Sequence, residues 1–110
     1  MTVQLQNSTS AAYVASQIIL ASSGHLFGVT GYNSKGSAQF IQLHDSATLP
    51  VDTGVPVIVF SVPALSPFSL SFGEKGRHFG VGIVVCNSST GPTKTLGSAD
   101  CWFDAQYEAQ

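Results

Sequence analysis

Short apolar runs, each closed off by Gly, Pro, Asn or Ser, recur along the chain at intervals too short for helices. That spacing predicts a β-sandwich or barrel. The clearest alternation is Pro67–Phe72, where Phe68, Leu70 and Phe72 share one face and Ser69 and Ser71 the other, the period of a half-buried strand. Gln39–Asp45 behaves similarly, with Phe40, Ile41 and Leu43 set against Gln39, Gln42 and His44. Val55–Val62 and Val81–Cys86 are continuous apolar runs, which predict central strands buried on both faces. Further strands are expected at Tyr13–Leu20, His25–Tyr32 and Cys101–Tyr107, about seven in all. Tyr13, Val14, Ile18 and Leu20 would also fit a short helix.

Between these runs lie turns with a physical cause. Asn33-Ser34-Lys35-Gly36, Pro50-Val51-Asp52-Thr53-Gly54 and Gly73-Glu74-Lys75-Gly76 combine Gly, which accepts positive φ, with Asn, Asp or Pro. Pro56 and Pro63 bracket a strand at positions where a missing N–H does little harm. No repeat or linker divides the chain, so residues 11–110 are expected to form one domain. Residues 1–10 are polar apart from Val3 and Leu5 and are expected to form a flexible N-terminal arm.

Composition sharpens this picture through charge. Asp, Glu, Lys and Arg make up 9% of the 110 residues, against about a quarter in an average soluble domain. Fifteen Ser and eight Thr keep the surface polar instead. Neutral polar groups lose less than charges on desolvation, so such a surface is readily buried against a partner. A net charge of −2, with Lys35, Lys75, Arg77 and Lys94 scattered, gives no positive stripe for nucleic acid. No apolar run is long enough for a membrane helix, and MTVQLQNSTS lacks the pattern of a signal peptide. Synthesis in the cytoplasm is therefore expected. On that expectation the sequons Asn7-Ser8-Thr9 and Asn87-Ser88-Ser89 read as loop residues.

Candidate chemistry is sparse. Gly31-Tyr32-Asn33-Ser34-Lys35-Gly36-Ser37 is spaced like a phosphate loop, but Ser37 stands where the motif needs Lys and a strand follows instead of a helix. Gly80-Val81-Gly82 leads into a strand and reads as a packing or bulge site. His25, His44 and His78 come from separate segments without metal-ligand spacing. His44-Asp45 is the most site-like pair, though a turn Asp beside an exposed His explains it. Asp100 and Asp104 share a strand face with Trp102 between them. No nucleophile elbow is present. Cys86 and Cys101 could face each other across an antiparallel pair, but free buried thiols fit the chain better. Trp102, Phe103 and Tyr107 are expected in the core. No enzymatic activity, cofactor or metal is expected.

Three stretches carry a resemblance: GYNSKGSAQFIQLHDSATLP from Gly31, VPVIVFSVPALSPFSLSFG from Val55, and GIVVCNSSTGPTKTLGSADCWFDAQY from Gly82, with CNSST and ADCWFD the most distinctive strings. They resemble small structural proteins of tailed bacteriophages and prophages. The resemblance implies a virion component on the capsid surface, a decoration (cement) protein that forms oligomers and binds the major capsid protein or another virion protein. With the pattern above it leads to an all-β antiparallel sandwich, jelly-roll or immunoglobulin-like, assembling as a homo-oligomer with a trimer expected first. Val3, Leu5, Tyr32 and Tyr107 are the candidate interface residues. The competing expectations are a carbohydrate-binding or host-recognition module with Tyr32 or Tyr107 on loops, and a minor tail or head–tail component. Nucleic acid and membrane are not expected as partners.

Overall fold

A computed structural model describes residues 5–95 and 97–110. Nine strands run β1 (Gln6–Thr9), β2 (Ser16–Leu20), β3 (Gly24–Asn33), β4 (Gln39–His44), β5 (Ile58–Val62), β6 (Ser66–Ser71), β7 (Arg77–Phe79), β8 (Ile83–Ser88) and β9 (Cys101–Ala109). Among the described residues there is no helix, and Ser16–Leu20 is strand, which removes the helical option. The strands form two antiparallel sheets. Sheet A has the order β1-β9-β3-β6, with β7 also on β3, and sheet B has the order β2-β8-β4-β5.

The pairing is nested. β1 pairs with β9, β2 with β8, β3 with β6 and β7, and β4 with β5. This is one long antiparallel ribbon, rolled so that successive pairs fall in alternate sheets. Taking β6 and β7 as one interrupted strand, the sandwich is a jelly roll. The order therefore decides between the two sandwiches that the sequence leaves open.

Alternation explains the core. Leu26 and Val29 on β3, Phe68 on β6, and Phe103 and Ala105 on β9 face Ile19, Ile41, Leu43, Val62, Ile83 and Val85 of sheet B. The Phe68 ring lies between Phe60 and Phe103, at centroid distances of 5.8 and 6.0 Å. Gly31 permits this, because a β-carbon there would stand 2.5 Å from the Phe68 ring and 2.0 Å from the Trp102 carbonyl oxygen.

Several expectations need correction. Gln6–Thr9, assigned to a free arm, is the edge strand β1 on β9, and Ser10 continues it by donating its N–H to the Phe103 carbonyl. Backbone pairing at an edge needs no apolar side chains, so the pattern misses it. Val3, the first candidate interface residue, lies outside the described residues. The run Val55–Val62 is not a strand buried on both faces: β5 starts at Ile58 and ends sheet B, with only β4 beside it. β8 meets the same expectation from Ile83 on, every residue of the strand being buried, while Val81 lies before it and is exposed. Phe103 is in the core but Trp102 is not, being 36% exposed.

Candidate functional site

The two outer faces of the sandwich differ in kind. On sheet A the strand register builds rungs of outward-facing side chains. Tyr32 is the register partner of both Pro67 and Trp102. The next rung holds Ser69, Thr30, Asp104 and Thr9, and the one after it Ser71, Gly28, Gln106 and Asn7. The Thr9 hydroxyl donates to Asp104 Oδ1 at 2.7 Å, and Gln106 Nε2 donates to Asp104 Oδ2 at 3.2 Å. These bonds hold the Asp104 carboxylate and orient the Gln106 amide.

Gly28 makes this face concave. With no side chain in the middle of the sheet it floors a groove of about 750 Å³, within the roughly 300–1,000 Å³ usual for small-ligand sites. The register slips between Leu26 and Gly28, so Phe27 is an extra residue of β3 with no partner on β9. A bulge re-aims a side chain in this way. The Phe27 ring forms one wall, packed against Gly76, whose φ of 68° suits glycine. Gln106 Oε1 overhangs the floor, 3.4 Å from where a Gly28 β-carbon would stand. Leu5 adds apolar lining, Thr30, Ser69 and Ser71 add hydroxyls, and Leu70 contributes its backbone carbonyl.

On sheet B the middle of the outer face lies under two loops, while Val59 and Ile18 to either side are exposed. Thr53 N donates to the Lys94 carbonyl and Lys94 N to the Gly54 carbonyl, both at 2.8 Å, so the β4–β5 and β8–β9 connections are clasped together. Beneath the clasp Gln42 is fully buried, and its Nε2 faces the carbonyls of Thr90, Gly91 and Thr93, each at 3.0 Å. Its Oε1 meets His44 Nε2 at 3.0 Å and Cys86 Sγ at 3.8 Å. Burial, then the nearby Lys94 ammonium, lowers the His44 pKa below its ordinary value. Burial pushes the Cys86 thiol up to about 11. The Lys94 ammonium donates to the Pro50 carbonyl.

Asp45 has a structural task. It accepts backbone N–H bonds from Gly80, Val81 and Gly82. Partial burial works to raise its pKa, but the three N–H donors and Arg77 hold it below the ordinary value. The capping role expected for this Asp therefore spans two segments, and His44 is buried instead of exposed, since the loops close over it.

Leu5 is exposed at the groove, and Tyr32 is half-buried on the outer face of β3, on a strand instead of a loop. Tyr107 also sits on a strand, and its side chain packs against the core. The structure thus separates Tyr107 from the other two. Trp102 is the residue that sequence reasoning missed. Its phase with Asp104 and Gln106, opposite to Cys101, Phe103 and Ala105, was the available signal.

The P-loop-like turn is pinned from inside by the fully buried Asn33, which donates to the Ser37 and Pro63 carbonyls and accepts from Lys35 N–H and the Gln39 amide. Cys86 and Cys101 are free, buried and on different sheets. Burial raises the Cys101 pKa as well, against a hydrogen bond from Asn87. His25 and His78 face each other at a ring distance of 5.1 Å. Among the described residues no three His, Cys, Asp or Glu side chains are placed to hold a metal ion. Comparison with family models, curated proteins and solved structures returns no match.

Proposed function

We propose that this chain is a non-enzymatic virion structural protein, a capsid decoration (cement) protein that self-associates and binds a repeated protein surface. The observation that carries the reading is the edge of sheet B. Val55, Val57 and Val59, at alternate positions into and along β5, are 74%, 43% and 42% exposed, and Leu49 and Val51 in the preceding loop are exposed too. Soluble proteins ordinarily guard a sheet edge with charge, proline or a bulge. Here valines stand beside the unpaired backbone of Ile58–Val62, with Pro56 and Pro63 outside its two ends and no charge or proline within it, which suits strand addition by a neighbouring chain. The edge strands of sheet A are guarded differently: β1 carries Gln6, Asn7, Ser8 and Thr9, and β6 has Pro67 and three serines. The scarcity of charge supports the same reading, since interface cores are depleted in charge. Copies arrayed on a lattice would gain avidity without a tight single contact.

The test is light scattering of the full chain across a concentration series, followed by co-sedimentation with phage capsids. The expected result is an oligomer, with a trimer first, that Val57→Lys/Val59→Lys disperses while unfolding stays cooperative. A mass near 11.5 kDa at every concentration, with no sedimentation on particles, would overturn the proposal.

A further inference from the structure

The outer face of sheet A combines two features that a merely solvated sheet face does not need. One is the rung in which Tyr32 and Trp102 stand side by side. The other is the trough over Gly28, walled by the bulged Phe27 ring and overhung by the fixed Gln106 oxygen. Along β3 the distance from Tyr32 to Gly28 is about 13 Å, at ~3.3 Å per residue. That length takes a short chain of sugar rings, not one ring alone.

The chemistry selects among ligands. Aromatic faces are negative and attract the C–H face of a pyranose, while hydroxyls and an amide oxygen match its rim of O–H groups. An acidic ligand would meet the carboxylates of Asp104 and Glu74, and no Lys or Arg stands on the three rungs. An apolar protein surface would bury the Thr30 and Ser69 hydroxyls and the Gln106 amide oxygen without partners, at a cost for each. A neutral polyol satisfies both sets of groups.

We infer that the outer face of sheet A binds a neutral oligosaccharide along β3, with one ring on Tyr32 and Trp102 and another end in the Gly28 trough. This site is on the opposite sheet from the β5 edge and does not depend on the assembly reading.

Trp102 is the chain's one tryptophan, so its fluorescence reports on this face directly. The full chain is titrated with maltohexaose, cellohexaose, laminarihexaose, mannohexaose and chitohexaose, and affinity electrophoresis in gels containing soluble neutral polysaccharides gives a second reading. A saturable change with at least one sugar is expected, weakened tenfold or more by Tyr32→Ala and by Gly28→Val, and unchanged by Ile18→Ser at an exposed position of β2 on the other sheet. Tyr32→Ala leaves the fluorophore and the trough backbone in place, so it decides the matter even if Gly28→Val fails to fold. No saturable change with any of the five sugars, or binding that survives Tyr32→Ala, would overturn the inference. So would loss of self-association in Tyr32→Ala without any sugar response, which would mark the face as a contact between proteins.

Discussion

The outer face of sheet A is open and the middle of that of sheet B lies under two clasped loops, and the side chains on each differ accordingly. On sheet A the polar groups Thr30, Ser69, Asp104 and Gln106 stand in reach of water or ligand. On sheet B the polar groups Gln42, His44, Cys86 and Lys94 are buried, and must satisfy one another or the loop backbone. Polar side chains are therefore left open on one face and tie down loops on the other, and glutamine does both, at Gln106 and at Gln42. A buried polar network raises stability only when its members are paired, so the two faces should respond very differently to small changes.

The largest contrast is expected at Gln42. Gln42→Leu removes the donor from three loop carbonyls and the partner of His44, and should cost roughly 3–5 kcal/mol in urea unfolding. Thr30→Ala on sheet A should stay within about 0.5 kcal/mol, as for a surface position. Equal costs would show that the clasp is not the stabilising element.

A pair of glycines sharpens the comparison at a lower level. At Gly82 a β-carbon would stand 2.3 Å from the Ser46 carbonyl oxygen, where the β4–β5 loop crosses β8. Gly82→Ala should therefore destabilise by roughly 2–3 kcal/mol through overpacking. At Gly28 the nearest atoms are 3.2 and 3.4 Å away, and Gly28→Ala should cost less than about 1 kcal/mol because strands favour Ala over Gly. Thermal unfolding of the two variants side by side measures the difference.

Protonation separates the faces next. The folded-state pKa of His44 lies below its unfolded value, so the unfolded chain takes up its proton first as pH falls. The stability that neutral His44 contributes is present above about pH 6.5 and is lost as pH falls below it. Unfolding followed from pH 7 to 5 should show a decline with a slope of at most about 1.4 kcal/mol per pH unit from this one proton. His44→Gln should flatten it. Asp45, also lowered, loses its contribution only at more acidic pH, so the two windows are distinguishable.

The smallest expected effect concerns the thiols. Cys86, with its pKa pushed up to about 11, and Cys101, raised by burial, should both be silent to an aqueous thiol reagent at pH 8 in the native protein. Both should react on unfolding. Reaction of Cys86 alone in the native state would reveal opening of the loops over sheet B.

The parts of this architecture that were legible in the sequence are those where side-chain period follows burial. Phe68 and Leu70 against Ser69 and Ser71 locate β6 correctly, and the apolar run from Ile83 to Cys86 correctly marks a central strand, although Val81 ahead of it is exposed. The same rule fails at Val55, because an apolar run buried on both faces and an apolar run at an exposed edge read alike. β1 and β7 are short and polar or mixed, and they exist through backbone pairing with β9 and β3, which leaves no mark in hydrophobic pattern. Trp102 is expected in the core as an aromatic residue, although its phase along the strand sets it with Asp104. The groove depends on Gly28 and a bulge, and only the register of three strands brings these together.

Nested pairing also sets the order in which the chain can close. β4 and β5 meet at Leu43 and Ile58, 15 residues apart, whereas β1 and β9 meet at Gln6 and Tyr107, about 100 residues apart. Closing the longer loop directly costs about 1.7 kcal/mol more in chain entropy. Each inner pair shortens the loop for the next, so zipping outward from β4–β5 is the route of least entropic cost. The valine edge is then among the first surfaces to form and the terminal strands the last. Newly made chains at high concentration would display Val57 and Val59 to one another before either molecule had finished folding. Recovery of soluble protein should then fall as synthesis rate rises, and dilution, more than a longer time, should restore it.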